Sequence, residues 1–337
     1  MSAQHAPIGV DIIGSGRCLP DFRLTNAELE KCMATTDEWI VQRTGINERR
    51  RADIAHGERT SNISVKAINH AIENAGIGAD ELDLLLVATM TPDSPTPSIA
   101  CIVANQIGAR HIGAMDINAA CSGFVYTLSI ADALIRSGAY KTIGVIGADT
   151  VTRHIDYSTA GRGAAILFGD GAGALILRAA NDSPKGMIAH RMHSDGDGGK
   201  HLFIPESELD FPKNVEYDPS LCNYVQMNGK AVFKFAVSKF QQVIADTLDD
   251  AGLSPDDVDH YVCHQANSRI LDSARDRFGI PDEKLLVNID KYGNTVAGSM
   301  PLVYNELDEA GKIKPGDKVM FLAFGAGLTW GSSLWQC

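Results

Sequence analysis

Three short stretches of this sequence carry side chains suited to nucleophilic and proton-transfer chemistry, each where a strand-like run gives way to a turn. In AMDINAACSGF the run ends at Cys121, and helical spacing begins near Gly123. A thiol at the start of a helix meets amides that favour its thiolate, the nucleophilic form. The small neighbours Ala119, Ala120, Ser122 and Gly123 leave room for a substrate. A small buried cysteine without chemistry is the competing reading. In HYVCHQANSRI a strand delivers His264, able to exchange a proton near neutral pH or to donate from a ring nitrogen. Here the competing reading is a hydrogen-bonded core histidine. Cys263, one residue earlier, points the other way along the strand and belongs to the core. In NIDKYGNTVAG, Gly293 permits unusual dihedrals and Asn294 offers an amide donor ahead of a helix beginning near Val296.

Two glycine-rich runs accompany these. FLAFGAGLTWG is a strand entering a loop whose backbone N–H groups suit an oxyanion hole. FGDGAGALIL, Phe168 to Leu177, lacks both the phosphate-loop and the dinucleotide signatures and reads as a tight turn before a core strand.

The elements that must position these residues come in two copies. AGIGADELDLLLVAT, from Ala75, aligns with AGLSPDDVDHYVCHQ, from Ala251, at an offset of 176 residues, and Lys141 to Ala148 then falls on Asp317 to Phe324. The same offset sets Asn294 opposite Asn118, three residues before Cys121, and His264 opposite Ala88. A solenoid repeat spans only about 20–50 residues, so the period indicates two fused copies of one domain. Each copy alternates strand-like and helix-like segments, which predicts an α/β fold. Strands apolar on both faces need helices above and below, which predicts a five-layered α-β-α-β-α sandwich from two duplicated halves. Residues 1–180 form the half with the cysteine and 181–337 the half with the histidine and asparagine. The stretch 193–222 interrupts the repeat and reads as a surface excursion.

Bulk properties narrow the function. A chain of 337 residues with 45% apolar and 21% charged content is that of a globular enzyme. A net charge of −12 disfavours nucleic acid and anionic membrane as partners. The seven cysteines are scattered without metal-ligand spacing, so reduced thiols and no metal are expected. No basic, apolar leader opens the sequence and no run suits a membrane span, which places the protein in the cytoplasm.

AACSGF, CHQANSRI, YGNT and FGAGLTWGSSL, with TTDEWIVQRTGI near the start, closely resemble β-ketoacyl-ACP synthase III, the initiating condensing enzyme of type II fatty acid synthesis, nearly end to end. The resemblance implies a thiolase fold, a homodimer and a triad of Cys121, His264 and Asn294. It implies no cofactor, the CoA thioester being a substrate: an acyl group moves from acyl-CoA to Cys121 and is then condensed with malonyl-ACP. The amides of Cys121 and Ala326 would form the oxyanion hole, Ala326 standing where a glycine is common. CoA contacts carry over to Trp39, Arg43, Thr44, Arg162, Gly229, Phe233, Asn267 and Arg269. Gly161 precedes Arg162 where an aspartate is usual. Without the resemblance, Trp39 reads as a core anchor and Arg162 as a solvated loop charge. Acyl carrier protein would dock on Lys230, Lys234, Arg269, Arg275 and Arg277, with a solvated helix face as the alternative. TPDSPTPSIAC resembles the loop that caps a partner's acyl pocket, and the small Thr96 there suggests primers longer than acetyl. Rival readings are a specialised condensing enzyme or acyltransferase using an unusual primer in secondary metabolism, and a non-catalytic acyl-binding subunit. A degradative thiolase would need a second cysteine near FGAGLTWG, which is absent.

Overall fold

The computed structural model describes residues 8–180, 185–213 and 215–337. The expected boundary between halves, at 180/181, falls at the edge of residues 181–184, which lie outside the described residues. Nine strands build the two main sheets: β1 Gly9–Cys18, β2 Leu84–Ala88, β3 Gly113–Ile117, β4 Thr142–Asp149, β5 Gly171–Ala180, β6 Gly186–Ser194, β7 His260–Cys263, β8 Lys318–Gly325 and β9 Thr329–Gln336. The longer helices are α1 Asp37–Thr44, α2 Thr60–Ala75, α3 Ile99–Gln106, α4 Gly123–Arg136, α5 Gly229–Ala251, α6 Ser268–Phe278 and α7 Ser299–Glu309.

Sheet one runs β1-β5-β4-β2-β3 and sheet two β7-β8-β9-β6. In sheet one β2 is parallel to β3 and β4, while β5 is antiparallel to β4 and β1. In sheet two β7 is parallel to β8, and β9 is antiparallel to β8 and β6. Helix α2 covers β1, β5 and β4, with α3 beside it over β2 and β3. Helices α4 and α7 lie between the sheets and touch both. Helix α5 covers β8, β9 and β6, with α6 against it. The order is therefore helices, sheet, helices, sheet, helices, the five layers expected of a thiolase fold.

Local chemistry repeats with the fold. Every residue of β2 and β4 is buried, as strands sandwiched between helices require. Helices α2 and α5 end at Gly76 and Gly252, 176 residues apart and both at φ 65°, a left-handed stop that glycine adopts without steric cost. In the turns beyond them, the Glu81 carboxylate accepts from Gly78 N and the Asp257 carboxylate from Ser254 N. Asp83 then accepts from Thr142 N at the start of β4, and Asp259 from Lys318 N at the start of β8. One strand breaks the symmetry. The place of β3 is taken in the second half by the four-residue helix Ile289–Tyr292.

The core between the sheets joins Leu86, Phe124, Leu128 and Val145 to Val303, Phe321 and Trp335. Burying each such side chain contributes about 1.5–3 kcal/mol, so the halves are held together by their shared helical layer. Backbone approaches closely there. A Cβ on Gly147 of β4 would stand 2.2 Å from Ala297 O and 3.0 Å from the Phe124 ring. Gly147→Ala is expected to destabilise the protein by about 1–3 kcal/mol in thermal or urea denaturation. Gly196→Ala, with nothing within 4 Å of the added carbon, is expected to leave stability unchanged.

Candidate active site

Strand β3 delivers the chain to a single 3₁₀ turn, Ala120–Ser122, which runs directly into α4. Ala120 has φ 47°, and this strained residue turns Cys121 inward, where it is 6% exposed. The second half repeats the turn as Val296–Gly298, with Val296 at φ 52°, so α7 begins at Ser299 rather than near Val296. The two turns touch, and the Cys121 turn also packs on β8. Asn294 lies 5% exposed in the segment entering the second turn, its Oδ1 accepting from Val296 N at 2.9 Å. That bond leaves the Asn294 Nδ2 hydrogens for the site. Gly293, at φ 66°, has the unusual backbone that the sequence suggests.

His264 follows β7, and its amide donates to Leu322 O of β8. The imidazole is fully buried, with Nδ1 2.7 Å from Ser299 Oγ and its ring 5.5 Å from that of Phe324. Nε2 is buried without a hydrogen-bond partner. Burial pushes the imidazole down to about 3, so it is neutral at physiological pH. Cys263 faces the core of the second half, as alternation along the strand requires.

The thiol departs from expectation. Burial, aided by the Asp149 carboxylate, pushes Cys121 well above the usual thiol range, although α4 starts two residues later. Desolvation outweighs the helix amides, and the resting side chain is a thiol, not a thiolate.

Asp149 gives no signal as a single residue in the sequence. It ends β4 fully buried, with Oδ1 accepting from Thr89 Oγ1, Met90 N and Thr91 N and Oδ2 accepting from Ala297 N at 3.1 Å. Burial raises it to about 6. The offset gives it meaning: 149 + 176 is 325, and 121 + 176 is 297. In the first half a carboxylate oxygen sits on the amide of Ala297. In the second, β8 ends in Gly325, whose added Cβ would stand 2.8 Å from Cys121 N. The glycine withholds the side chain that its counterpart inserts, and Ala326 and Gly327 line the space beside Cys121.

A cavity of about 940 Å³ opens at Cys121. Met90, Val151, Phe168, Phe203 and Val225 give it apolar walls, with Arg153 and His154 among its polar groups. Phe203 and Val225 belong to the inserted stretch and the residues just after it, as do Leu202, Ile204 and Asn223, so the stretch 193–222 walls the cavity through residues 202–206, while 207–210 and 215–220 are the exposed surface excursion expected. Alternation alone could not reveal this, because the stretch is mostly irregular. Thr96 is exposed and lies outside the cavity of its own chain.

Residues 115–196 match the family described as 3-oxoacyl-[acyl-carrier-protein] synthase III, and residues 248–337 its C-terminal counterpart. The chain is 44% identical over 325 residues to β-ketoacyl-[acyl-carrier-protein] synthase III 1 of Bacillus cereus, covering 96% of this chain and 98% of that protein. It belongs to the β-ketoacyl-ACP synthase III family. The synthase III of Caldanaerobacter subterraneus is 42% identical over 327 residues, covering 97% of each chain. Among solved structures, synthase III of Aquifex aeolicus superposes with a TM-score of 0.89 at 40% identity over 98% of this chain and all of that one. The priming β-ketosynthase of the R1128 polyketide pathway gives 0.89 at 33% identity over 98% and 97%.

The CoA contacts that this synthase III resemblance suggests form one cluster, Thr44 excepted. The guanidinium groups of Arg43 and Arg162 stand 4.7 and 4.6 Å from the Trp39 ring centre, so Arg162 is engaged by an aromatic face and Trp39 is more than a core anchor. Asn267 Nδ2 donates to Arg43 O, tying α6 to α1, and Arg269 stands 5.3 Å over Phe233 of α5. Gly229 opens α5 at the surface, one helical turn before Phe233. Thr44 does not join the cluster: it is 2% exposed, its hydroxyl donating to Ile40 O and accepting from Ile46 N. Of the basic residues, Lys230, Lys234, Arg269 and Arg277 are exposed, whereas Arg275 is held in ion pairs to Asp272 and Asp282 and leaves the cluster.

A thiol held protonated gains thiolate only as pH rises toward its raised pKa. Alkylation of Cys121 by iodoacetamide, read by intact mass, is expected to accelerate about tenfold per pH unit from pH 6 to 9 without levelling. A plateau near neutrality would mean a depressed thiol.

Proposed function

We propose that the chain transfers an acyl group from acyl-CoA to Cys121 and condenses it with malonyl-ACP, giving 3-oxoacyl-ACP, CoA and CO2. The observation carrying this reading is the cavity that opens at Cys121 with two buried polar groups close by: the neutral His264, bonded to Ser299 just after the turn that touches the Cys121 turn and with Nε2 unpartnered, and Asn294, bridged to the cavity residue Phe168.

In the first half-reaction the Cys121 sulfur bonds to the acyl carbon, and the C–S bond to CoA breaks. The thiol proton passes through His264 Nε2 to the leaving CoA sulfur. The amides of Cys121 and Ala326 hold the oxyanion in the space that Gly325 keeps clear. In the second, the malonyl C–C bond to its carboxylate breaks, CO2 leaves, and the electron pair becomes an enolate. His264 and Asn294 donate to its oxygen. The enolate carbon attacks the acyl carbon, and the Cys121 sulfur leaves and takes up a proton from solvent, returning to the thiol. Ser299 Oγ can accept from or donate to Nδ1, so either neutral tautomer of His264 keeps a partner. The kinetics are ping-pong.

Trp39 and Arg162 offer stacking and charge for the adenine and phosphates of CoA, and Lys230, Lys234, Arg269 and Arg277 a basic face for an acidic carrier protein on an otherwise acidic chain. A homodimer is supported by β3, an unpaired sheet edge with Met115 45% exposed. Among the described residues no helix is long and apolar enough to cross a membrane, in keeping with a cytoplasmic location. The cavity supports primers longer than acetyl. Its size, with the similarity to a polyketide priming synthase, also favours a second reading, a specialised primer in secondary metabolism.

Wild type and Cys121→Ala are to be incubated with acetyl-, octanoyl- and aryl-CoA, then malonyl-ACP, and weighed intact. The proposal expects an adduct on wild type alone, discharged by malonyl-ACP to a 3-oxoacyl product, with octanoyl-CoA within about tenfold of acetyl-CoA. An adduct that malonyl-ACP leaves in place contradicts the condensation, and strict preference for acetyl contradicts the primer reading.

A further inference from the structure

The two turns that open α4 and α7 share more than their backbone. Asn294 Oδ1 accepts from Val296 N at 2.9 Å, and Asn118 Oδ1 accepts from Ala120 N at 3.2 Å. The donors are the residues of these two turns that sit at positive φ, 52° and 47°. Both the asparagines and the donors are 176 positions apart, since 294 − 118 and 296 − 120 are equal. A side chain with a Cβ at positive φ costs about 1–2 kcal/mol, and such a residue persists only where its surroundings hold it. In both halves the holding group is the same carboxamide oxygen, two residues upstream.

Beyond the clamp the two halves differ. Val296 leads to Ala297, whose amide is capped by Asp149. Ala120 leads to Cys121, with its amide beside Gly325 and its thiol at the cavity. Asn118 is exposed at the rim of that cavity. We propose that Asn118 is a positioning residue for the first half-reaction: its Oδ1 fixes the Ala119–Ala120 backbone so that the Cys121 sulfur and the Cys121 amide face the same thioester carbonyl. This rests on the reading of Cys121 as acyl acceptor. Asn118 touches no reacting atom, and its effect passes through the turn alone.

The oxygen, not the amide nitrogen, is the working atom. Asn118→Asp keeps an acceptor in place, whereas Asn118→Ala removes it. Single-turnover acylation by acyl-CoA and discharge of the acyl-enzyme by malonyl-ACP are to be timed separately by intact mass, with melting temperature alongside. Acylation is expected to slow about tenfold in Asn118→Ala and to recover to within about threefold of wild type in Asn118→Asp, the scale of one lost hydrogen bond. Discharge is expected to change less than acylation, with melting close to that of wild type. Three results overturn the assignment: wild-type acylation in Asn118→Ala, an equal loss in Asn118→Asp, or a joint fall of both half-reactions and of melting temperature. A wild-type protein that no acyl-CoA acylates overturns the reading of Cys121 itself, and the assignment with it.

Discussion

The proposed site depends on one backbone amide, Cys121 N, facing a glycine where its counterpart faces a carboxylate. Cys121 N opens a helix in the middle of the molecule, where an uncapped donor is ordinarily satisfied by a neighbour. Its counterpart, Ala297 N, is satisfied by the Asp149 carboxylate. Cys121 N faces the end of β8, where Gly325 has no side chain to offer and no room for one. A duplicated fold thus carries two versions of one turn, one capped by an internal carboxylate and one facing a glycine beside the cavity. In the proposed reaction the thioester oxygen takes the position that Asp149 occupies in the capped version.

Burial sets the chemistry on either side of that amide. It holds the Cys121 thiol protonated and drives the His264 imidazole to neutrality, so neither group is charged at rest. A neutral pair spares the site the cost of two desolvated ions, and charge develops only while a substrate is present to receive it. The same low-dielectric setting contains a fully buried arginine behind the asparagine turn. Arg49 donates to Leu24 O, Asn26 Oδ1 and Ile166 O, with no carboxylate partner among the described residues, and burial lowers it to about 10. Its Cβ would lie 3.0 Å from a side chain placed on Gly293, so it backs the segment carrying Asn294. Removing it would leave three acceptors unpaired at once.

Much of this is legible in the sequence because the two halves repeat in register. Apolar strands, the glycines at 76 and 252 and the aspartates at 83 and 259 are local signals that survive in a single sequence. They define β2, β4, β7 and β8, the last three of which lead to Asp149, His264 and Gly325. The part of the inserted stretch that walls the cavity, residues 202–206, goes unseen because its short strand leaves no period to detect. The role of Gly325 is hidden for a different reason. A residue that acts by absence is seen only beside its counterpart, Asp149, and only once the fold brings both amides into view. The thiolate expected at Cys121 fails because helix position is readable from sequence, whereas desolvation depends on every layer around the turn. Thr44 and Arg275 fall away for similar reasons: one is consumed by its own helix and the other by two aspartates.

The most direct test of the open amide is Gly325→Ala, followed through single-turnover transfer from acyl-CoA to Cys121. The added carbon would stand 2.8 Å from Cys121 N. The account predicts a folded protein whose Cys121 still reacts with iodoacetamide but whose acyl transfer falls by roughly 10²–10³, the loss typical of one oxyanion donor. Acyl transfer at the wild-type rate in that variant would contradict it.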